Sequence, residues 1–312
     1  MWSLSALSLS LWCCLVNGVS HAKDGTHRPV SVGLYQGQQS VYSREAEYGV
    51  KFDHVLLFQP VQQLNHTEVA SYLDRGHAVI LNIEFRSHTA VLQDIADGKF
   101  DAQLTAFSTA LRDDGRAIKI RTLHEPIGNW YPWGLQWPTG ENTVARYEAA
   151  WLHVTQIFKR LHAPVLFQLD INNINGNDNK TPFKLWLPTS TKFWDCFSSI
   201  GVTVYNRAYL LPSSNWSETF TQAFDNAYHQ IAALTDKPLA ICEIGTVSYG
   251  TDKDMWYQRA FKDIALRYTR VNEVTFFWAN KVEEGRLADW DLNNSKKSWI
   301  AGYHDFCGMI GK

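Results

Sequence analysis

Beyond its N-terminal segment, the 312-residue chain has no second long apolar run, no excess of either charge and few cysteines. A formal net charge of -2, with 19% charged residues, leaves no basic field for a phosphate backbone, which excludes nucleic acid as an expected partner. The absence of a second apolar run leaves no transmembrane span to expect. No CxxC pair or His/Cys cluster points to a metal, so none is expected. No GxGxxG follows the first apolar run, and no GxSxG elbow occurs anywhere, which argues against a dinucleotide fold and an esterase of the α/β-hydrolase type. No linker, repeat or low-complexity tract divides the chain.

The first residues, MWSLSALSLSLWCCLVNG, form an apolar run followed by small and polar residues. This pattern reads as a secretory signal peptide over residues 1–22, cut between Gly18 and Ala22, and so as a secreted, extracellular protein. A membrane anchor is the alternative, but the strictly apolar part falls short of the roughly 20 residues a span needs. Of the five cysteines, Cys13 and Cys14 fall in this segment, leaving Cys196, Cys242 and Cys307. Three is an odd number for an oxidising compartment. Cys242 lies inside an apolar run and is expected as a buried free thiol, with Cys196 and Cys307 as the candidate bridge. N-x-S/T triplets at Asn65, Asn179, Asn215 and Asn293 are candidate N-glycosylation sites.

The remaining residues, 23–312, contain eight short apolar runs: 29–35, 54–58, 78–85, 117–123, 164–171, 201–206, 238–244 and 273–279. Each is continuous rather than alternating, as in parallel strands buried on both faces. Helical patterns occupy 67–75, 88–96, 99–112, 143–162, 216–234 and 252–269. In the fourth of these, Val144, Tyr147, Trp151, Val154 and Phe158 recur three or four apart and mark one apolar stripe. The alternation predicts a single-domain (β/α)8 barrel in the α/β class. An open doubly wound sheet is the competitor, with fewer strands expected. The polar stretch 172–192 is expected as a rim loop.

In such barrels the reactive groups stand at the C-terminal ends of strands. Glu125 follows the fourth expected strand and Glu243 closes the seventh, both embedded in apolar sequence where an unpaired charge is costly. Two such carboxyl groups suit glycosidic hydrolysis: a spacing of ~5–5.5 Å gives retention and ~6.5–9.5 Å gives inversion. The alternative for any single glutamate is a solvated surface charge. Asn129, Trp130, Tyr131 and Trp133 follow Glu125 closely, and sugars pack their C–H faces on such rings. Trp130 and Trp133 read either as core or as cleft wall, and Trp278 as a floor under the reacting sugar. Tyr205, on the sixth strand, is in barrel order to hydrogen-bond Glu243. Arg121 is placed to pair with a barrel carboxylate, with a purely structural ion pair as the alternative.

At these residues the chain resembles glycoside hydrolase family 26. That family carries an R-x-x-H-E-M-N-G-x-W-Y-x-W segment after its fourth strand, matched here by Arg121, His124, Glu125, a slightly shifted Gly128, Trp130, Tyr131 and Trp133. The stretches IADGKFDAQLTAFSTAL and AWLHV extend the likeness, which covers residues 77–299. The resemblance implies a retaining double displacement with Glu125 as acid/base and Glu243 as nucleophile. It also implies that Arg121, His124, Asn129, Trp130, Trp133, Asn172, Tyr205 and Trp278 shape the sugar subsites. Asn172 or Asn173 resembles the asparagine of a Pro-Asn pair at the equivalent loop. Pro126 and Ile127 stand where the family usually has Met and Asn, and Asn129 is the candidate to replace that polar side chain. In NIEFRSH, with Glu84, Arg86 and His88, no residue aligns clearly with the histidine that often reads mannose.

The expected activity is an endo-β-1,4-mannanase acting on a β-linked polysaccharide as a monomer, without cofactor. A mixed-linkage β-glucanase or β-xylanase on the same scaffold is the alternative, since the choice turns on a few kcal/mol of differential binding. A carbohydrate-binding protein that has lost catalysis is the rival from another class, and retention of both glutamates weighs against it.

Overall fold

The computed structural model describes residues 29–37, 39–86, 91–173, 181–210, 215–283, 285–292 and 295–312. The expected signal peptide, Asn179, Asn293 and His88 lie outside the described residues. All eight expected strands form: β1 Ser31–Tyr35, β2 His54–Pro60, β3 Ala78–Glu84, β4 Ile118–Thr122, β5 Val165–Asn172, β6 Phe197–Asn206, β7 Leu239–Thr246 and β8 Val271–Phe277. They join in sequence order as a closed barrel, so the protein is a (β/α)8 barrel. Its chain has two compact units, Leu57–Ile200 and Thr26–Leu56 with Gly201–Lys312.

In the first unit, β3 and β4 run parallel with Ile80 beside Lys119 and Asn82 beside Arg121, and Ile118 of β4 stands beside Val165 of β5. All five β4 residues are buried, including Lys119 and Arg121, so both faces of the strand are enclosed although its apolar residues alternate with two cations. Helices α2 His66–Leu73, α3 Val91–Ala96, α4 Asp101–Asp114 and α5 Val144–Arg160 follow their expected positions within a few residues. The α5 stripe packs as foreseen: Trp151 meets Phe197 edge-on at 4.7 Å, and Phe158 meets Phe167 at 5.7 Å. Each aromatic so buried contributes roughly 1.5–3 kcal/mol. Thr143 starts the helix by accepting from the Arg146 backbone N–H. Asn65 caps α2 through Glu68 N and is exposed. The described part of 172–192 is not wholly loop, since it holds a 3-10 turn Phe183–Leu185 and the short helix α6 Thr191–Trp194.

In the second unit, β1 pairs with β8 from Ser31–Glu273 to Tyr35–Phe277, and β7 pairs with β8 with two register irregularities. Helix α7 Phe220–Leu234 opens on a reciprocal cap between Thr219 and Gln222. Its start at Phe220 is later than expected, because the residues before Thr219 run as coil on the rim. Helix α8 Lys253–Leu266 is capped by Asp252. Three elements went unforeseen: α1 Val41–Tyr48, a hairpin of β9 Lys281–Glu283 and β10 Arg286–Ala288, and the last helix α9 Lys296–Ile310. Helix α9 buries Trp299 against Tyr303, stacked at 5.2 Å, and against Trp278 edge-on at 4.9 Å. No helix among the described residues is long and apolar enough to cross a membrane.

The proposed Cys196–Cys307 bridge does not form, and all three cysteines described are free. Cys196 is engaged locally, its thiol 3.3 Å from the Lys192 carbonyl and 3.5 Å from Thr155 Oγ1. Cys307 lies on α9 within one turn of Tyr303, whose hydroxyl titration it helps to raise. Cys242 is the buried thiol expected.

Candidate active site

Glu125 lies just past the end of β4, on a segment with unusual backbone. Leu123 and Glu125 both take left-handed conformations, with φ 47° and 52°. Such geometry costs about 1–3 kcal/mol per non-glycine residue and persists only when its surroundings enforce it. They do so here. The Glu125 N–H donates to Asp170 O at 2.9 Å, Tyr147 Oη to Leu123 O at 3.1 Å, and Ile127 N–H to Asn172 Oδ1 at 2.9 Å. Asn172 is buried, so the structure gives this expected sugar ligand a loop-anchoring bond.

The aromatic residues after Glu125 divide into two kinds. Trp130 is 40% exposed, and its indole N–H donates to Glu125 Oε2 at 2.8 Å. A Cβ at Gly128 would fall 2.6 Å from that indole, so glycine is required for the ring to lie over the loop. Trp133, by contrast, is fully buried, donates to His124 O at 2.7 Å and stacks on Tyr131 at 4.5 Å. Of the two expectations for it, core is the one realised; it is a pillar under the loop and not a cleft wall. Asn129 is half-buried on the same turn.

His124 is 1% exposed among Phe58, Tyr131 and Trp133, and neither ring nitrogen has a hydrogen-bond partner among the described residues. Burial, reinforced by the cations Arg121 and Arg86, pushes its pKa down to about 3. The imidazole is therefore neutral across ordinary pH. Arg121 is fully buried and donates through Nε to Gln168 Oε1 at 2.6 Å, with the Gln168 amide passing on to Ser199. At the end of β3, buried Glu84 is held in a two-point ion pair by Arg86, at 2.9 and 2.7 Å.

The surroundings of Glu243 are different. It sits within β7, which continues to Thr246, in regular and wholly buried strand, and is itself 7% exposed. The hydrogen bond anticipated from barrel order is present: Tyr205 Oη, near the end of β6, donates to Glu243 Oε2 at 2.6 Å. A donor so close to a buried carboxylate stabilises its ionised form. The Tyr205 ring packs on Trp290 at 4.7 Å and edge-on to Phe277 at 5.8 Å. A Cβ at Gly245 would press on both the Tyr205 and Trp290 rings, within 3.2 Å.

Trp278 is not the exposed floor expected. It is 1% exposed, stacked on Tyr48 at 4.9 Å and edge-on to Trp299, because its position after β8 turns it toward α1 and α9. The tryptophan against the Tyr205–Glu243 pair is Trp290, which sequence reasoning missed. It lies beyond the β9–β10 hairpin, and the only signal was an aromatic in the LADWDL stretch after the last strand. Buried Lys253 secures that stretch, donating to the carbonyls of Asp289 and Asp291. Arg44 also reaches the Asp291 carboxylate.

No family model matches the chain. A curated relative, Endoglucanase H of Acetivibrio thermocellus, is 29% identical over 282 residues, 89% of this chain but only 30% of that protein. Among solved structures, the catalytic domain of an endo-β-1,4-mannanase from Bacillus sp. JAMB-750 is similar with a TM-score of 0.66 at 14% identity, covering 97% of this chain and 90% of that one. A β-mannanase from Bacteroides ovatus reaches 0.63 at 11% identity, covering 98% and 93%. The mannanase of Bacillus subtilis reaches 0.60 at 15%, covering 96% and 90%. The likeness to glycoside hydrolase family 26 first read around Arg121, His124 and Glu125 thus extends to the course of the whole barrel.

Proposed function

We propose that this protein is a retaining endo-β-glycanase in which Glu243 is the nucleophile and Glu125 the general acid/base. The observation that carries the reading is the contrast in how the two carboxylates are held. Glu243 is buried and takes a 2.6 Å bond from Tyr205, which suits a nucleophile that is ionised before attack. Glu125 is less buried, sits on a strained loop and has one oxygen engaged by Trp130, which suits a group that gives up and regains a proton. Glu125 follows β4 and Glu243 stands in the C-terminal half of β7, each toward the strand end at which parallel barrels carry their reactive groups.

In the first step Glu243 attacks the anomeric carbon as Glu125 protonates the departing glycosidic oxygen. In the second, Glu125 takes a proton from water, which releases the sugar from Glu243 with net retention. The backbone around Glu125 fixes the acid before substrate arrives, so little reorganisation remains for the chemical step.

Two substrate readings have support. A β-linked glucan is favoured by the identity to an endoglucanase along most of this chain, and by the lack in NIEFRSH of a residue that aligns clearly with the histidine by which mannanases of the family often read mannose. A β-1,4-mannan remains the second reading, from the motif after β4. Secretion to the extracellular medium, with N-glycosylation at exposed Asn65 and Asn215, completes the proposal.

The test is to incubate wild-type protein and E243A with mixed-linkage glucan, glucomannan, galactomannan and xylan, and to resolve the products by length. A ladder from glucan that vanishes in E243A supports the first reading, and one from galactomannan the second. Absence of release from every polymer by folded wild type removes the glycanase assignment.

A further inference from the structure

The residue that follows this strand end by two positions from Tyr205 has no part in the double displacement as described. Arg207 lies in the coil just after β6, and its guanidinium carbon stands 4.9 Å above the Tyr205 ring centroid and 5.8 Å from that of Trp290. Its Nε reaches Glu283 Oε2 of β9 at 3.3 Å, and Lys281 meets the other Glu283 oxygen at 3.1 Å. Although burial opposes it, these two cations hold the Glu283 carboxyl below its ordinary range, so the anion that secures Arg207 stays charged.

We propose that Arg207 is a positioning residue for the nucleophile, acting through Tyr205. A cation over an aromatic face is attracted by the ring's electron density and stabilises negative charge on it. Drawing density from the phenol makes its hydroxyl a stronger donor, and the acceptor of that hydroxyl is Glu243. The flat guanidinium also fixes the plane of the ring, so the hydroxyl stays aimed while Glu243 gains and loses the glycosyl group. Anchoring of the β9–β10 hairpin alone would require only the Glu283 pair; it would not require the guanidinium to lie over two rings, one of them the donor to Glu243. The β9–β10 hairpin then becomes part of the catalytic apparatus, because it carries the counter-ion that holds Arg207 in place.

This inference rests on the assignment of Glu243 as nucleophile, and the test separates the two. Wild type, R207M, R207K and E283Q are compared for kcat/KM against pH on an activated aryl β-glycoside, with E243A and added azide alongside. The acidic limb reports ionisation of the nucleophile, and a weaker Tyr205 donor raises that pKa. R207M is expected to lose on the order of tenfold in kcat with little change in KM, and to move the acidic limb to higher pH. R207K keeps a cation beside Glu283 but cannot stack flat, so the limb moves the same way by less, and this variant decides the matter if R207M does not fold. E283Q, which loosens the hold on Arg207, is expected to shift less than R207M. An acidic limb at its wild-type position in both Arg207 variants overturns the inference, as does an E283Q as impaired as R207M. Substantial activity in E243A without azide would instead overturn the nucleophile assignment.

Discussion

The segment around Glu125 and the strand around Glu243 carry the same functional group in opposite kinds of backbone. Glu243 is part of a regular strand, and its orientation follows from β-sheet geometry and the hydrogen bond from Tyr205. Glu125 depends on two left-handed residues, a glycine that admits an indole, loop N–H groups that donate to Asp170 and Asn172, and a bond from Tyr147. A regular buried strand holds a carboxylate in one orientation. A strained loop is where a side chain can meet both substrate and solvent.

Breaking either carboxylate gives the largest expected effects. E243A should lose on the order of 10⁴-fold or more in kcat, recoverable in part by azide, as followed with an aryl glycoside. E125A should lose about 10²–10⁴-fold on polymer, and much less on a substrate whose leaving group needs no proton. Equal losses on both substrates would erase the distinction between acid and nucleophile.

Smaller changes sharpen the contrast. Y205F removes a donor to ionised Glu243, so the nucleophile's pKa rises and the acidic limb of kcat/KM should move up by roughly one unit. W130F removes a donor to Glu125, which raises that group's pKa as well. Because Glu125 works protonated in the first step, the alkaline limb moves to higher pH, by less than about one unit for so exposed a ring. The two variants should therefore move opposite limbs. G128A, whose new methyl collides with the indole, should displace Trp130 and cost about 1–3 kcal/mol in chemical unfolding, with the W130F pH profile.

His124 bears on stability rather than on rate. Its folded pKa of about 3 lies below the ordinary 6.5 of the unfolded chain, so the unfolded state binds the extra proton between these values. Its contribution to stability is full above pH 6.5 and is lost as pH falls toward 3, at up to about 1.4 kcal/mol per pH unit. Urea unfolding of H124F should show that much less dependence on pH than wild type in this window.

The eight strands were legible because both faces of each are buried, so Val, Ile, Leu and Phe run together without alternation. Tyr205 and Glu243 could be paired in advance because β6 and β7 are neighbours, and barrel order alone brings their ends together. The tryptophans could not be sorted in the same way. Trp130 and Trp133 are three residues apart in one turn, and the backbone path set by Leu123 and Glu125 decides which ring is exposed and which is core. Trp278 was misplaced and Trp290 missed because α1, α9 and the β9–β10 hairpin, the elements around them, left no clear periodic signal. The bridge between Cys196 and Cys307 failed for a related reason: spacing in sequence gives no distance between a turn before β6 and the final helix.

The most direct test of the account is to trap the intermediate. Wild-type protein is incubated with a 2-fluoro-β-glycosyl probe carrying a good leaving group, matched to the polymer it cuts, and the labelled peptide is sequenced by mass spectrometry. One glycosyl group attached to Glu243, with loss of activity in step with labelling, is the expected result. Attachment to another carboxylate, or hydrolysis of the natural polymer with inversion and no adduct, would contradict it.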